Sequence, residues 1–329
     1  MNLLNKILWK IREVTGRIRR MVIILLISLL VASVIYVVKI IRERSKITIF
    51  SAMIDADTGN GVSDLLAISR ALADPRFEVI GLTSAQWNQY PEASGKTVLV
   101  SQNLNDTLLR LFKRKDIPHP MGGEKMIGYA SVPVFIPSEA SRYIVQKAHE
   151  ATNDKKLNII TLGAMTNLAT AILSDSAIVS KIRIYSLAMY FDPVKKVWNK
   201  NEFNVRNDLD ALDLVLNTDK LEMHIMPLSV SKALVLDEDE TLDRLKNKGA
   251  PWDFIAVHWP WISVESKDIN IAEVALIEAI LNPDFAKEEQ TNTPPENRSR
   301  QVFVYTSVNK EFMKIDFWKA IKKYFSESG

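Results

Sequence analysis

From Ile47 onward, short apolar runs rich in β-branched residues alternate with segments whose apolar positions recur at helical spacing. The runs at 47–54, 77–84, 157–163, 182–189, 222–228 and 301–308 predict strands, and the stretches 64–73, 92–112, 138–153, 166–173 and 208–216 predict helices. Strand-helix alternation of this kind predicts an α/β fold: a Rossmann-like, open, mostly parallel sheet with helices on both faces. In such sheets a ligand lies beyond the carboxyl ends of the strands. The region 230–295 reads as helical with polar loops, and the breaker-rich "EEQTNTPPENRSR" (288–300) leads into the last strand. With no internal repeat, 47–329 is expected to form one domain.

A different pattern precedes it. Residues 21–38 carry no charge, and with Ile40 and Ile41 beyond Lys39 they approach the length of about 20 residues that spans a bilayer. The expectation is a transmembrane helix at 21–41, joined to the body by a linker at 42–46. In residues 1–20, Leu3, Leu4, Ile7, Leu8, Ile11, Val14 and Ile18 recur at helical spacing beside Lys6, Lys10, Arg12, Arg17, Arg19 and Arg20. That basic amphipathic segment suits an anionic leaflet, making membrane lipid an expected partner. Six positive residues before the span and four after it predict a single-pass protein with a cytoplasmic N-terminus and the body outside.

Charge and composition narrow the rest. Residues 1–47 hold ten Lys/Arg against Glu13 and Glu43, contributing +8 to a formal net charge of +3, so the remainder is acidic. An acidic body argues against a nucleic-acid partner. The absence of cysteine excludes disulfides, zinc-thiolate sites and cysteine nucleophiles. An oligomer stays open.

Candidate chemistry concentrates in "MIDADTGNGVSD" (53–64), directly behind the first predicted strand. One reading is a polar strand-to-helix turn, with Asp64 capping its helix. A second takes "DADTG" as the nucleophile motif of haloacid-dehalogenase-like magnesium phosphatases. Gly59 breaks that motif, and "ALVLDEDE" (233–240) supplies the late acidic pair only superficially. A third uses Asp55, Asp57 and Asp64 together as oxygen donors around a glycine-rich bend, as calcium accepts.

The third reading extends along the chain. "DADTGNGVSD" resembles the longer opening motif, DxDxGNxxDD, of the inosine-uridine preferring nucleoside hydrolase family, matching at Asp55, Asp57, Gly59, Asn60 and Asp64. "GLTSAQWN" is similar to a second-strand motif ending in a substrate-binding Asn, here Asn88. "RKDIPHPMGGEKMI" resembles the family's Ile-Pro stretch and small-residue turn. "ITLGAMTNLATAI" resembles a segment whose Thr carbonyl, here that of Thr166, holds calcium. "NEFNVRNDLDA" is similar to the motif whose Glu and Asn, here Glu202 and Asn204, grip the ribose. "EVALIEAILNP" aligns without a gap with the helix opened by a late calcium ligand, which places Glu273 there. The resemblance covers about residues 47–325.

What it implies is calcium-dependent hydrolysis of the N-glycosidic bond of ribonucleosides, through an oxocarbenium-like transition state. Asp57, Asp64, Glu273 and the Thr166 carbonyl would bind Ca²⁺. Asp57 would also accept the proton of the attacking water, with Asp55 orienting it from behind. Asn88, Glu202, Asn204 and Ser63 would contact the sugar. Several positions depart from the pattern. Ser63 stands where the family has Asp and offers a neutral hydrogen bond for a charge-assisted one. Glu273 is one methylene longer than the usual Asp, and "IYSLAMYFDP" lacks a glycine pair. Ala272 occupies the place of a base-protonating His, for which His258 is the nearest substitute. These departures keep a second reading open, a catalytically weak or inactive ribosyl-binding module on the same fold.

Overall fold

The computed structural model describes residues 49–89, 93, 95–129, 133–259 and 268–328, with side chains through 324, and scattered helical positions between 21 and 36. The chain divides into two units, Met1–Thr48 and Ile49–Gly329. In the first, Met21, Leu25, 28–34 and Tyr36 are helical. Residues 1–20, most of 21–41 and the linker lie outside the described residues. Among those described, no helix is long and apolar enough to cross a membrane. That finding overturns the single-pass placement and the outward-facing body expected from 21–41, and the lipid contact expected of the N-terminal segment has no support among the described residues. An uncharged run of this length stands at the lower limit for spanning, and Lys39 ends it.

The second unit is built on a seven-stranded sheet. Its strands are β1 (Phe50–Ala56), β2 (Phe77–Ser84), β3 (Leu157–Thr161), β4 (Ile182–Leu187), β5 (Glu222–Met226), β6 (Ala286–Asn292) and β7 (Gln301–Val308), in the spatial order β6-β7-β5-β4-β3-β1-β2. Every pairing is parallel except that of β6 with β7. All six predicted strands form. β6 does not follow from the apolar pattern, because AKEEQTN is polar throughout. It closes an edge, where only one side needs a partner.

Alternation along the strands separates two cores. Ala52, Ile54 and Ala56 of β1 join one cluster, with Leu66 and Ile68 of the helix Val62–Ala73, Leu276 of the helix Ala272–Leu281, and Phe317 of the helix Lys310–Ser328. Met53 joins the other, with Ile159, Ile184 and Ile225 of the neighbouring strands, Ile144 of the helix Glu139–Glu150, Leu168 of the helix Thr166–Ser174, and Leu212 of the helix Leu209–Asn217. A strand covered on both faces must be apolar on both, which is why the six runs were legible. Each fully buried Leu or Ile contributes about 1.5–3 kcal/mol.

Two features aim this frame at one end of the sheet. The helix Val62–Ala73 starts at Gly61 in extended conformation with no side-chain cap, leaving its first-turn N–H groups and positive dipole end facing the loops after β1. Farther along that helix, fully buried Arg70 joins Glu278 of the helix Ala272–Leu281 at 2.6 Å.

Candidate active site

The ends of β1, β2 and β3 are tied together just past the sheet. Leu162 N donates to the Asp55 carbonyl and Ala85 N to the Ala56 carbonyl, each at 2.8 Å. The loop after β1 is closed by Asn60 N donating to the Asp57 carbonyl at 2.8 Å. It is anchored to the helix Thr97–Leu111 by Thr58 Oγ1 donating to Asn105 at 2.7 Å and by Gly59 N donating to Ser101 Oγ. A Cβ at Gly59 would stand 2.8 Å from Val100, and one at Gly163 would stand 2.9 Å from the Asp57 carboxylate. Both glycines are therefore places of close approach. The stretch is thus an ordered turn that also gathers acidic groups.

Asp55, Asp57 and Asp64 are each about 1% exposed. Asp55 Oδ1 accepts from Thr83 Oγ1 at 2.6 Å and Asn167 Nδ2 at 2.9 Å. Its other oxygen, Asp57 Oδ2 and Asp64 Oδ1 are buried without a hydrogen-bond partner. Burial raises the Asp57 pKa well above the usual carboxylate range, and the neighbouring charge of Glu273, then those of Glu202 and Asp55, raises it further. Asp64 is raised by burial and by Asp57 and Glu273. Glu273, also raised by burial, is eased by a hydrogen bond from Ser63. Asp57, Asp64, Glu273 and Ser63 are thus brought together from one loop and two helix starts.

Among the described residues, no three or more acidic or histidine side chains form a ready-made metal centre. The carboxylates are neighbours rather than convergent on one point. Their donor chemistry nonetheless fits a hard cation: the donors are carboxylate oxygens, and one each on Asp57 and Asp64 is buried without a hydrogen-bond partner.

The expected sugar-binding residues are already engaged in the fold. Asn88 donates to the Glu124 carbonyl at 2.6 Å and accepts from Thr97 Oγ1 at 2.9 Å. Asn204 Nδ2 donates to the carbonyls of Leu162 at 2.7 Å and Leu187 at 3.2 Å, clamping the ends of β3 and β4. Glu202 caps the helix Phe203–Asn207 through Asn204 N and Val205 N, and burial pushes its pKa up to about 7. The Thr166 hydroxyl donates to Asp208 at 2.7 Å and accepts from Gln86. Glu202 reaches the acidic group electrostatically, whereas Asn88 belongs to the loop network around Glu124. His258 lies in the helix Ala250–His258, with Nδ1 bound to the Phe254 carbonyl at 2.8 Å.

Two residues here did not emerge from the sequence. Asn167 uses its whole amide: Nδ2 donates to Asp55 and the Ser84 carbonyl, and Oδ1 accepts from Gly123 N and Ser138 Oγ. The Thr-Asn dipeptide at the start of a helix was the available signal. The second is Met189, fully buried with φ 60, in the segment that lacks the glycine pair. A left-handed backbone persists there in a residue that adopts it at a cost.

Comparison with known proteins agrees with this geometry. The family model for inosine-uridine preferring nucleoside hydrolase matches residues 52–312. Uridine nucleosidase 1 of Arabidopsis thaliana is 27% identical over 213 residues, covering 59% of this chain and 61% of that protein. The pyrimidine-specific ribonucleoside hydrolase RihA of Shewanella sp. (strain MR-7) is 25% identical over 206 residues, 57% of this chain and 62% of its own length. The match therefore spans less than two thirds of these curated relatives. Among solved structures, a plant nucleoside hydrolase superposes with a TM-score of 0.63 at 18% identity, covering 84% of this chain and 98% of that one. A purine-preferring ribonucleoside hydrolase from Gardnerella vaginalis gives 0.61 at 19%, with 84% and 99% covered. On the extent of the family match, this chain belongs to the inosine-uridine preferring nucleoside hydrolases, a family of enzymes.

Proposed function

We propose that the chain hydrolyses the N-glycosidic bond of ribonucleosides to ribose and free base, with Ca²⁺ held by Asp57, Asp64, Glu273 and the Thr166 carbonyl. The observation that carries this reading is the set of buried carboxylates with unpartnered oxygens at the carboxyl end of a parallel sheet. Calcium is favoured over magnesium because its larger shell tolerates irregular, all-oxygen ligation. Bound there, the ion supplies a water of lowered pKa and a Lewis acid for the ribose hydroxyls.

The remaining work falls to the chain. Asp57 accepts the proton of the attacking water, and its affinity for a proton follows from burial among like charges. Asp55, fixed by Thr83 and Asn167, sets the position of the Asp57 loop. Glu202 and Ser63 offer hydrogen-bonding groups to the sugar. Asn204 holds the loops on which the sugar rests, and it contributes its remaining oxygen. Asn88 reaches the ribose after exchanging its bond with Glu124 for one to substrate. Burial around these groups excludes bulk water and strengthens each contact.

The neutral Ser63, hydrogen-bonded to Glu273 where a carboxylate is expected, favours the second reading, a ribosyl-binding module with weak or no catalysis. The phosphatase reading has no such support. Asp237 and Glu238–Glu240, its late acidic group, cap and open the helix Glu238–Leu245.

Incubation with a panel of ribonucleosides, with and without chelator, separates the readings. Release of free base that stops on chelation and returns with Ca²⁺ is the expected result. Ribonucleoside binding without base release would establish the module instead.

A further inference from the structure

A wide groove lies between the end of the helix Thr97–Leu111, the turn at Asn247–Gly249 and the helix Lys310–Ser328, with a volume of about 1510 Å³. Among the described residues its rim carries Lys113, Lys248, Lys319, Lys322 and Arg244 against one acid, Asp243. Arg244 is paired with Glu240 and lies 4.8 Å from the Trp318 ring centre. Among the described residues the four lysines make no ion pair. The floor is apolar: half-buried Leu111, Trp318 and Tyr324 line it, over a buried layer in which Phe112 meets Trp252 and Tyr324 at ring separations of 5.6 and 5.1 Å.

We propose that this groove docks an acidic polypeptide segment of a partner protein, seated by apolar side chains. Unpaired like charges around a concavity focus a positive potential into it, so the occupant is anionic. An apolar floor beneath such a rim calls for apolar anchors three and four residues apart, as an amphipathic helix presents them. The groove also exceeds the roughly 300–1,000 Å³ that one small molecule fills. A nucleic acid is disfavoured by the acidic balance of the rest of the body.

The test uses the full chain and a fluorescein-labelled helical peptide with Leu and Glu at amphipathic spacing, read by anisotropy. A Leu/Lys peptide, an all-Glu peptide and a single-stranded RNA oligonucleotide serve as comparisons. The Leu/Glu peptide is expected to bind best, and Lys319→Glu with Lys322→Glu to weaken it about tenfold. Lys155→Glu, on an exposed loop elsewhere, should leave binding unchanged, and circular dichroism of each variant verifies the fold. Equal binding of the all-Glu peptide, stronger binding of the RNA, or indifference to Lys319→Glu/Lys322→Glu in the folded protein would each overturn the proposal.

Discussion

Arg70 and Glu278, both without solvent exposure, meet at 2.6 Å across the contact between two helices, one bearing Asp64 and the other Glu273. Asp74 at 2.5 Å and Asp316 at 2.8 Å complete the guanidinium's partners. The ion pair therefore sets the separation of two carboxylates at the far ends of its helices. Replacing Arg70 by Met leaves Glu278, whose pKa burial already raises to about 7, without its cation, and Asp74 and Asp316 with one partner fewer, which costs about 3–5 kcal/mol. Urea unfolding should report that loss, and calcium affinity should fall with it. A loss under 1 kcal/mol would show that the helices are held by their apolar contacts alone.

Much of the frame was legible because six strands buried on both faces leave continuous apolar runs. β6 was not, since Lys287, Glu288, Glu289 and Gln290 at an open edge carry no such signal. At the site, Asp57, Asp64 and Glu273 were legible as acids in ordered motifs. The convergence of Asn167 on Asp55, Ser84, Gly123 and Ser138 was not, because it joins segments distant in sequence. The membrane placement was not legible, because an uncharged run of this length reads alike as a marginal span and as an apolar helix.

Met189 yields a prediction about backbone strain. Its φ of 60 suits glycine, yet its side chain is buried in the core. Met189→Ala and Met189→Gly both lose that packing, by about 2–5 kcal/mol for the Ala variant. Only glycine also relieves the left-handed backbone, by roughly 1–2 kcal/mol. Thermal unfolding should therefore rank Gly above Ala, the reverse of the usual order. The usual order would mean that the backbone relaxes out of the left-handed region.

Ser63 and Glu273 should behave as a coupled pair, since the serine hydroxyl hydrogen-bonds the glutamate. That contact turns around the expectation that a carboxylate at 63 strengthens ribose binding. Ser63→Asp alone places another buried anion beside Asp57, Asp64 and Glu273, and kcat/KM on ribonucleosides should fall about tenfold or more. Glu273→Asp in the same chain withdraws the longer carboxylate and should restore most of the loss, a coupling of about 0.5–3 kcal/mol. Additive effects in the four-member cycle would separate the two positions.

The buried acids also fix the sign of a pH effect in metal-free protein. Burial raises Glu202 to about 7 and Asp55 to about 6, from unfolded values of 4.5 and 3.8. Between about pH 4 and 7 the folded state holds protons that the unfolded state has released, so stability falls as pH rises through this window. In chelator the melting temperature should be higher at pH 5 than at pH 8. Saturating calcium should narrow the difference by compensating the ionised carboxylates. A lower melting temperature at pH 5 in chelator would contradict the burial of these groups.

The polar edge strand β6 has a consequence for how molecules of this protein meet. It ends the sheet with no strand beyond it, the geometry from which intermolecular sheets grow, although Trp198 Nε1 already donates to the Asn292 carbonyl at its end. Yet Glu288 is held by His224 at 2.8 Å, and Glu289 by Lys196. A second chain zipping onto this edge would set its own side chains beside this row of charged groups, which a like-charged copy of the strand makes costly. The charges that hid the strand from the apolar pattern are thus what keeps the sheet from polymerising.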